Sequence, residues 1–368
     1  MSQRPALMPI STIVDLLTAQ IEPLVRELLP QGSRHGHEWR CGSLAGEPGQ
    51  SLAVNLGSRA GVWADFSSGE SGDALDLVAG VCCGGDKTQA IKWARRWLGV
   101  EDGDPAEFER RRRVAEKKAA ARKAKAEEEA RGARESAVRI WMSASSELLG
   151  TPVDRYLAGR AIELARLPWL PGAIRYHPGL WNAETGRKWP AMVTSIVGPD
   201  GKQISTHRTW LEVQRDGRVG KAPLAEPKKT LGGFRGGWIS LWKGAIASGD
   251  GRLRKAAPIS RVKGPIEIDI TEGIEDGLSV VVSDPALRVI ASVSGGNLAN
   301  LRLPESAGLV LWAQNDPPGS DAAKAFAVAA AALGERHASV KVARPPAEYK
   351  DVNDMLIASK KLKEERHG

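Results

Sequence analysis

The 368-residue chain has little cysteine, tyrosine or phenylalanine, with 3, 3 and 4 of them. Three cysteines, two of them adjacent at Cys82 and Cys83, cannot build a disulfide framework, which excludes a small secreted scaffold and suits a reducing cytoplasm. No long uncharged apolar run and no secretory apolar core is present, so the expectation is a soluble, unexported, cytoplasmic protein with no membrane partner. Glycine-rich phosphate loops of the dinucleotide and P-loop types are missing after the first strand of the C-terminal region. Both of those nucleotide-binding folds are thereby excluded.

Tryptophan, by contrast, numbers 12 and exceeds Phe and Tyr combined. Against 44 acidic residues stand 52 Lys and Arg, a net charge of +8, compatible with a polyanionic partner and equally with plain solubility. The length allows two or three domains. In "IVDLLTAQIEPLVRELLP", Leu17, Ile21, Leu24, Val25 and Leu28 recur at helical spacing until Pro30, which predicts one amphipathic helix. Short β-type runs between Gly-rich turns follow, then two helices, "GDALDLVAG" and "KTQAIKWARRWLG". Residues 1–103 thus read as a helix plus a small β module. Residues 104–135 are strong helix formers with almost no apolar stripe, a charged helical linker that is either a solvated spacer or a basic arm on nucleic-acid phosphates. Residues 136–265 are mixed and rich in Gly, Pro and Trp, and 266–368 alternate strand with helix, which implies a parallel sheet flanked by helices.

Neighbouring parallel strands share one C-terminal edge. "IEIDITEG" then delivers Glu272, "LRVIASVSGG" delivers Ser294, Gly295 and Gly296, and "GLVLWAQND" delivers Asp316, with Asp276 one helical turn beyond Glu272. Each acid alone is as readily a helix N-cap or a solvated loop end. Together, with no His or Cys beside them, they are hard oxygen ligands suited to Mg²⁺ or Mn²⁺, and an ion so held also engages phosphate oxygens.

"TEGIEDGLS", "WAQNDPPGSDAAKAF" and "KDVNDML" together resemble the Toprim domain, most closely that of primases from bacteria, phages and plasmids. The resemblance implies metal ligation and catalysis by Glu272, Asp276 and Asp316, with Gly319 as the glycine of the Asp-x-Asp element. Gln314 stands where the family has its first Asp and is a weak ligand at best. Lys350, Asp351 and Asp354 match the closing motif of phage-type members, the two acids being possible additional ligands. Upstream, "GKQISTHRTWLEVQRDGRVGKAPLAEPKKTLGGFRGGWISLW" is similar to the mixed α+β segment before Toprim in primase cores, which implies that Arg208, Lys221, Lys228 and Lys229 meet template or nucleotide, with Gly232 and Gly233 allowing close approach. Trp210, Trp238 and Trp242 are packing anchors or base-stacking platforms.

The N-terminal module is similar to a primase zinc ribbon that has lost its ligands. "DFSSGESGD" keeps Phe66, Gly69, Gly72 and Asp73 but has Asp65 and Ser68 for the cysteines, and the other pair retains Cys41 alone, with Leu44 for its His. His35 and His37 have no spacing that makes them replacements. The expectation is a ribbon-like fold without zinc, packed by Trp39, Leu52, Val54, Trp63 and Phe66, with Arg40 and Arg59 available to DNA. The whole then reads as a DNA primase of phage, plasmid or mobile-element type. It would make short RNA primers from ribonucleoside triphosphates on single-stranded DNA, beside a separate helicase since no P-loop is present. The alternatives are a non-catalytic single-stranded-DNA-binding recruiter and, less well matched, a Toprim nuclease. Tyr156, Tyr176 and Tyr349 lack the setting of a topoisomerase nucleophile.

Overall fold

The computed structural model describes residues 8–100 and 105–367. It divides into two units, residues 1–129 and 130–368, with the division inside one long helix.

In the first unit the apolar stripe forms two helices, α1 (Ile10–Ala19) and α2 (Ile21–Leu28), where a single one is expected from periodicity. Pro23 is the reason. Within a continuous helix its ring would clash with the Ala19 carbonyl, whereas in the first turn of a new helix its missing N–H costs nothing. Five antiparallel strands follow in spatial sequence: β1 (Ser33–His35), β2 (Glu38–Cys41), β3 (Leu52–Asn55), β4 (Trp63–Asp65) and β5 (Ser71–Gly72). Helices α3 (Ala74–Cys82) and α4 (Lys87–Trp97) complete the unit. Trp39, Leu52, Val54 and Trp63 are buried as expected, but Phe66 is 74% exposed. Strand alternation explains this, because Trp63 and Asp65 point inward and Phe66 falls on the opposite face. Cys41 is buried and its thiol donates to the Ser43 carbonyl at 3.3 Å. Burial, with Glu47 and Asp65 adding, pushes that thiol up to about 11. Asp65 accepts from the amide and hydroxyl of Ser67, and Asp73 caps α3 reciprocally with Asp76.

The charged segment forms α5 (Pro105–Ser143). In the second unit α6 (Pro152–Ala158) precedes an antiparallel sheet with order β10-β8-β7-β6, β9 pairing with the far end of β8. Its strands are β6 (Ile174–Asn182), β7 (Arg187–Val197), β8 (Gln203–Val213), β9 (Val219–Lys221) and β10 (Lys228–Leu231). β11 (Ile239–Trp242) and a hairpin of β12 (Ala245–Ala247) and β13 (Leu253–Lys255) lead into the alternating region. There β14 (Ile266–Thr271), α7 (Ile274–Ser283), β15 (Val289–Ala291), α8 (Gly295–Leu298), β16 (Ala307–Trp312), α9 (Asp321–Gly334), β17 (Ser339–Ala343) and α10 (Val352–His367) follow the order read from the sequence. β14 to β17 are mutually parallel, and β11 adds an antiparallel edge strand beside β15. Ile274, Leu278, Val281 and Val352 from α7 and α10 cover one face; Leu298, Ala329 and Leu333 from α8 and α9 cover the other. Period-2 runs such as Ile268 and Ile270, or Leu309 and Leu311, are buried because both faces are covered.

The buried face of the antiparallel sheet is partly polar. Thr194, His207 and Thr209 are each at most 7% exposed, and His207 Nδ1 has no hydrogen-bond partner among the described residues. Burial, with Lys228 adding, lowers the His207 pKa from 6.5 to about 4. Since the unfolded chain takes up this proton below about pH 6.5 and the folded chain does not, the contribution is complete at neutral pH and lost as pH falls toward 4. Denaturant titrations at pH 7 and pH 4.5 should therefore show His207→Gln relieved of acid destabilisation amounting to roughly 2–3 kcal/mol in the unsubstituted chain.

Candidate active site

The acids sit at the C-terminal edge of β14 and β16. Glu272 follows β14 directly and is exposed, its carboxylate facing Gly295, where an added Cβ would lie 3.4 Å from Oε2. Asp316 is half-buried in the turn after β16. That turn is latched by its neighbour: the Asn315 backbone amide donates to the Lys350 carbonyl at 2.8 Å, and its side chain donates to the carbonyls of Pro345, Pro346 and Tyr349. The stretch bearing Lys350 and Asp351 is thereby held against the turn bearing Gln314 and Asp316. The Gln314 carbonyl accepts from Arg344 at 2.8 Å.

Asp276, in the first turn of α7, is 8% exposed. Its Oδ1 accepts the Asn353 amide at 3.3 Å, and the Asp351 carboxyl lies within hydrogen-bonding reach. Burial, then the Asp351 charge, pushes its carboxyl up to about 6. Asp351 also accepts the Asp354 amide at 2.9 Å, and Asp354 itself is exposed. Asn353 is 1% exposed and fully tied, donating to the Arg160 carbonyl and the Ser279 hydroxyl and accepting from the Arg160 guanidinium.

Between these residues lies Glu275, which sequence reasoning passed over. It is 5% exposed, accepts the Tyr156 hydroxyl at 2.7 Å, and pairs with Lys228 at 3.2 Å and Lys221 at 3.7 Å. Burial alone would raise its pKa, but Lys228, the Tyr156 hydroxyl and Lys221 together outweigh that and hold it at about 2. Lys221, drawn in with it, falls to about 8, chiefly through burial. The signal in the sequence was the adjacent acid pair of "TEGIEDG": one carboxylate faces Asp351, the other the lysines.

The expected basic residues do not converge. Lys228 pairs with Thr209, Lys221 with Leu211 and Lys229 with Arg208 across the antiparallel ladder, so Lys221 and Lys228 share one face, toward α7, while Arg208 and Lys229 take the other. Arg208 lies over the Trp210 ring, 5.0 Å from its centroid, and donates to the Thr230 carbonyl. Lys229 pairs with Glu226 at 3.0 Å, and Lys350 is exposed. Gly232 has φ +96° and packs near the Ile204 carbonyl, where a side chain would be strained. Trp210, Trp238 and Trp242 are each at most 2% exposed and serve as packing anchors.

Among the described residues no three His, Cys, Asp or Glu side chains form a group able to hold a metal ion. The Asp276–Asp351 pair nevertheless suits a divalent cation, since no Lys, Arg or His among the described residues forms an ion pair with either of these adjacent carboxyls, and Mg²⁺ commonly takes one or two carboxylates with water and phosphate completing its shell. Addition of about 10 mM Mg²⁺ should raise the melting temperature by roughly 2–4 °C at pH 7.5. At pH 5, where a proton already relieves the pair, it should do so less, and Asp276→Asn should abolish the shift. Replacing Glu275 with Gln leaves two partly solvated cations without their carboxylate, and equilibrium unfolding should register a loss of about 1–3 kcal/mol.

Residues 131–241 match a family described as a domain of unknown function, DUF7146, and residues 267–361 match the Toprim domain. No curated protein matches the chain. Among solved structures, similarity extends to the Aquifex aeolicus primase (zinc-binding and RNA polymerase domains), at 16% identity over 96% of this chain and 84% of that one, TM-score 0.36. The primase fragment of the bacteriophage T7 primase-helicase protein is 16% identical over 48% of this chain and 62% of its own, TM-score 0.27. A DNA primase domain from Pseudomonas aeruginosa is 15% identical over 51% of this chain and 52% of its own, TM-score 0.29. The parallel-sheet region that bears Glu272, Asp276 and Asp316 carries a Toprim domain.

Proposed function

We propose that the chain is a DNA primase that joins ribonucleotides on a single-stranded DNA template. The observation that carries this reading is the buried, unneutralised Asp276 carboxylate against Asp351, at the same strand edge as Glu272 and Asp316. Asp276 and Asp351 are the pair that would hold Mg²⁺ or Mn²⁺, with water and phosphate completing its shell; Asp316 stands on the adjoining turn, where Gln314 contributes a neutral carbonyl oxygen at most. When bound, such an ion neutralises triphosphate charge and stabilises the leaving pyrophosphate. In the reaction the 3′-hydroxyl oxygen bonds to the α-phosphorus, the bond from that phosphorus to the bridging oxygen breaks, and pyrophosphate leaves with the electron pair. Glu272, exposed at the edge, accepts the hydroxyl proton. Lys221 and Lys228 supply one net positive charge beyond what Glu275 neutralises, available to phosphate. Lys229 and Lys350, both at the surface or near it, and Arg208 would steer the strand. A replicative helicase would act beside it.

A second reading, a binding protein without catalysis, is favoured by Gln314, a neutral amide in the turn that carries Asp316. Primer synthesis with labelled ribonucleotides on single-stranded DNA separates the two. Under the first reading wild type yields products in Mg²⁺ or Mn²⁺, and Asp276→Asn or Asp316→Ala lowers the yield by about 100-fold or more, as loss of transition-state charge stabilisation does. No product from wild type, together with strand affinity that Asp276→Asn leaves intact, would establish the second. Product gained in Gln314→Asp alone would locate the loss of chemistry at that residue.

A further inference from the structure

A cavity of about 560 Å³ lies in the second unit, away from the acids. It runs beside β11. Trp242 of that strand pairs with Val289, the first residue of β15, while Ile239 pairs with Ala291, the last. The Trp242 end therefore stands at the start of the parallel strands, whereas Glu272 and Asp316 follow their ends.

One wall is aromatic. Trp169 stacks on Trp242 with ring centroids 5.0 Å apart and planes 8° from parallel. Trp242 is 1% exposed and fixed by its indole N–H donating to the Pro285 carbonyl at 2.8 Å, so the pair is a braced platform whose outer member, Trp169, is half-buried. Among the other lining residues the charged ones are Lys202, Lys243, Lys255 and Arg261, against one carboxylate, Asp200, which lies 3.8 Å from Lys202. Lys243, Lys255 and Arg261 have no carboxylate partner among the described residues. The Lys255 ammonium instead sits 5.5 Å from the Trp169 ring centroid. Like charges gathered at a cavity of ligand size, without counter-ions of their own, favour an anion. An indole face beside them favours an anion that carries a planar ring.

We propose that this cavity binds a nucleotidyl unit, its base displacing the Lys255 ammonium from the Trp169 ring and its phosphates meeting Lys243, Lys255 and Arg261. The ligand is a free nucleotide or a nucleotide within a single strand, which present the same chemistry. This site does not depend on nucleotidyl transfer at the strand edge and would persist were that reading wrong.

The test is fluorescence anisotropy on the full chain in EDTA, using N-methylanthraniloyl-ATP and a fluorescein-labelled oligothymidylate as separate probes. Trp169→Ala, and the double substitution Lys243→Gln with Lys255→Gln, should each weaken binding about tenfold, the scale of one lost base–aromatic stack. For the oligonucleotide, the lysine pair should also flatten the dependence of log K on log salt by about 1.4, two phosphates at roughly 0.7 each. The lysine pair removes no buried apolar contact, so a folding defect in Trp169→Ala leaves the question decidable. Weakening of the nucleotide probe alone identifies a free nucleotide, and weakening of the strand probe alone, or of both, identifies nucleotides along a strand. Unchanged affinity for both probes in the lysine variant overturns the proposal, as does binding in EDTA that Asp276→Asn removes.

Discussion

The second unit depends on a carboxylate that should not want to be where it is. Glu275 sits in the first turn of α7, out of water, and its ionised form survives there because Lys228 and Lys221 come from a different sheet to meet it, with the Tyr156 hydroxyl from α6 completing the set. Ion pairs of this kind add little net stability compared with apolar packing, but they are costly to break and tolerate little displacement. Their effect is to fix position. The antiparallel sheet, α6 and the head of α7 are brought to one point, one residue away from Asp276. The helix start that bears the candidate ligand is located by the lysines next door.

The rest of the edge is fixed by neutral groups. Asn315 and Asn353 satisfy backbone and side-chain partners on segments far apart in sequence, and both side-chain ends of Asn353 are engaged. The turn after β16 therefore owes its shape to Asn315 and to backbone bonds. Gln314 contributes its carbonyl to Arg344, a bond any residue at that position can make. Exchange of an acid for an amide at 314 changes the charge of the edge and leaves the geometry in place.

Much of the parallel-sheet region was legible because its strands and helices differ in period and are separated by Gly, Pro and Ser; the four strands and the helices between them come in the order read from the sequence, though β15 stops at Ala291 and Gly295 and Gly296, expected at its end, open α8. The same holds for Trp39, Leu52, Val54 and Trp63. What failed locally did so for local reasons: Pro23 divides one apolar stripe into two helices, and alternation past Asp65 turns Phe66 outward. The cluster at the site was harder. A lysine two residues along a strand returns to the same face, while the next residue does not, so Lys228 and Lys229 look equivalent in sequence and stand on opposite sides of a sheet. Glu275 and Tyr156 are 119 residues apart, and no pattern in either segment announces the other.

β11 shows how far a sequence family and a folding unit differ. The Toprim match begins at residue 267, yet the sheet it describes is closed on one side by Ile239–Trp242. A piece cut at the match boundary would leave the outer backbone groups of β15 unpaired and strip Leu241 and Trp242 from the core that covers α7. Open strand edges beside uncovered apolar surface recruit other chains. The region is autonomous as a pattern of residues and dependent as a solid object: its solubility resides in a strand that the family does not include.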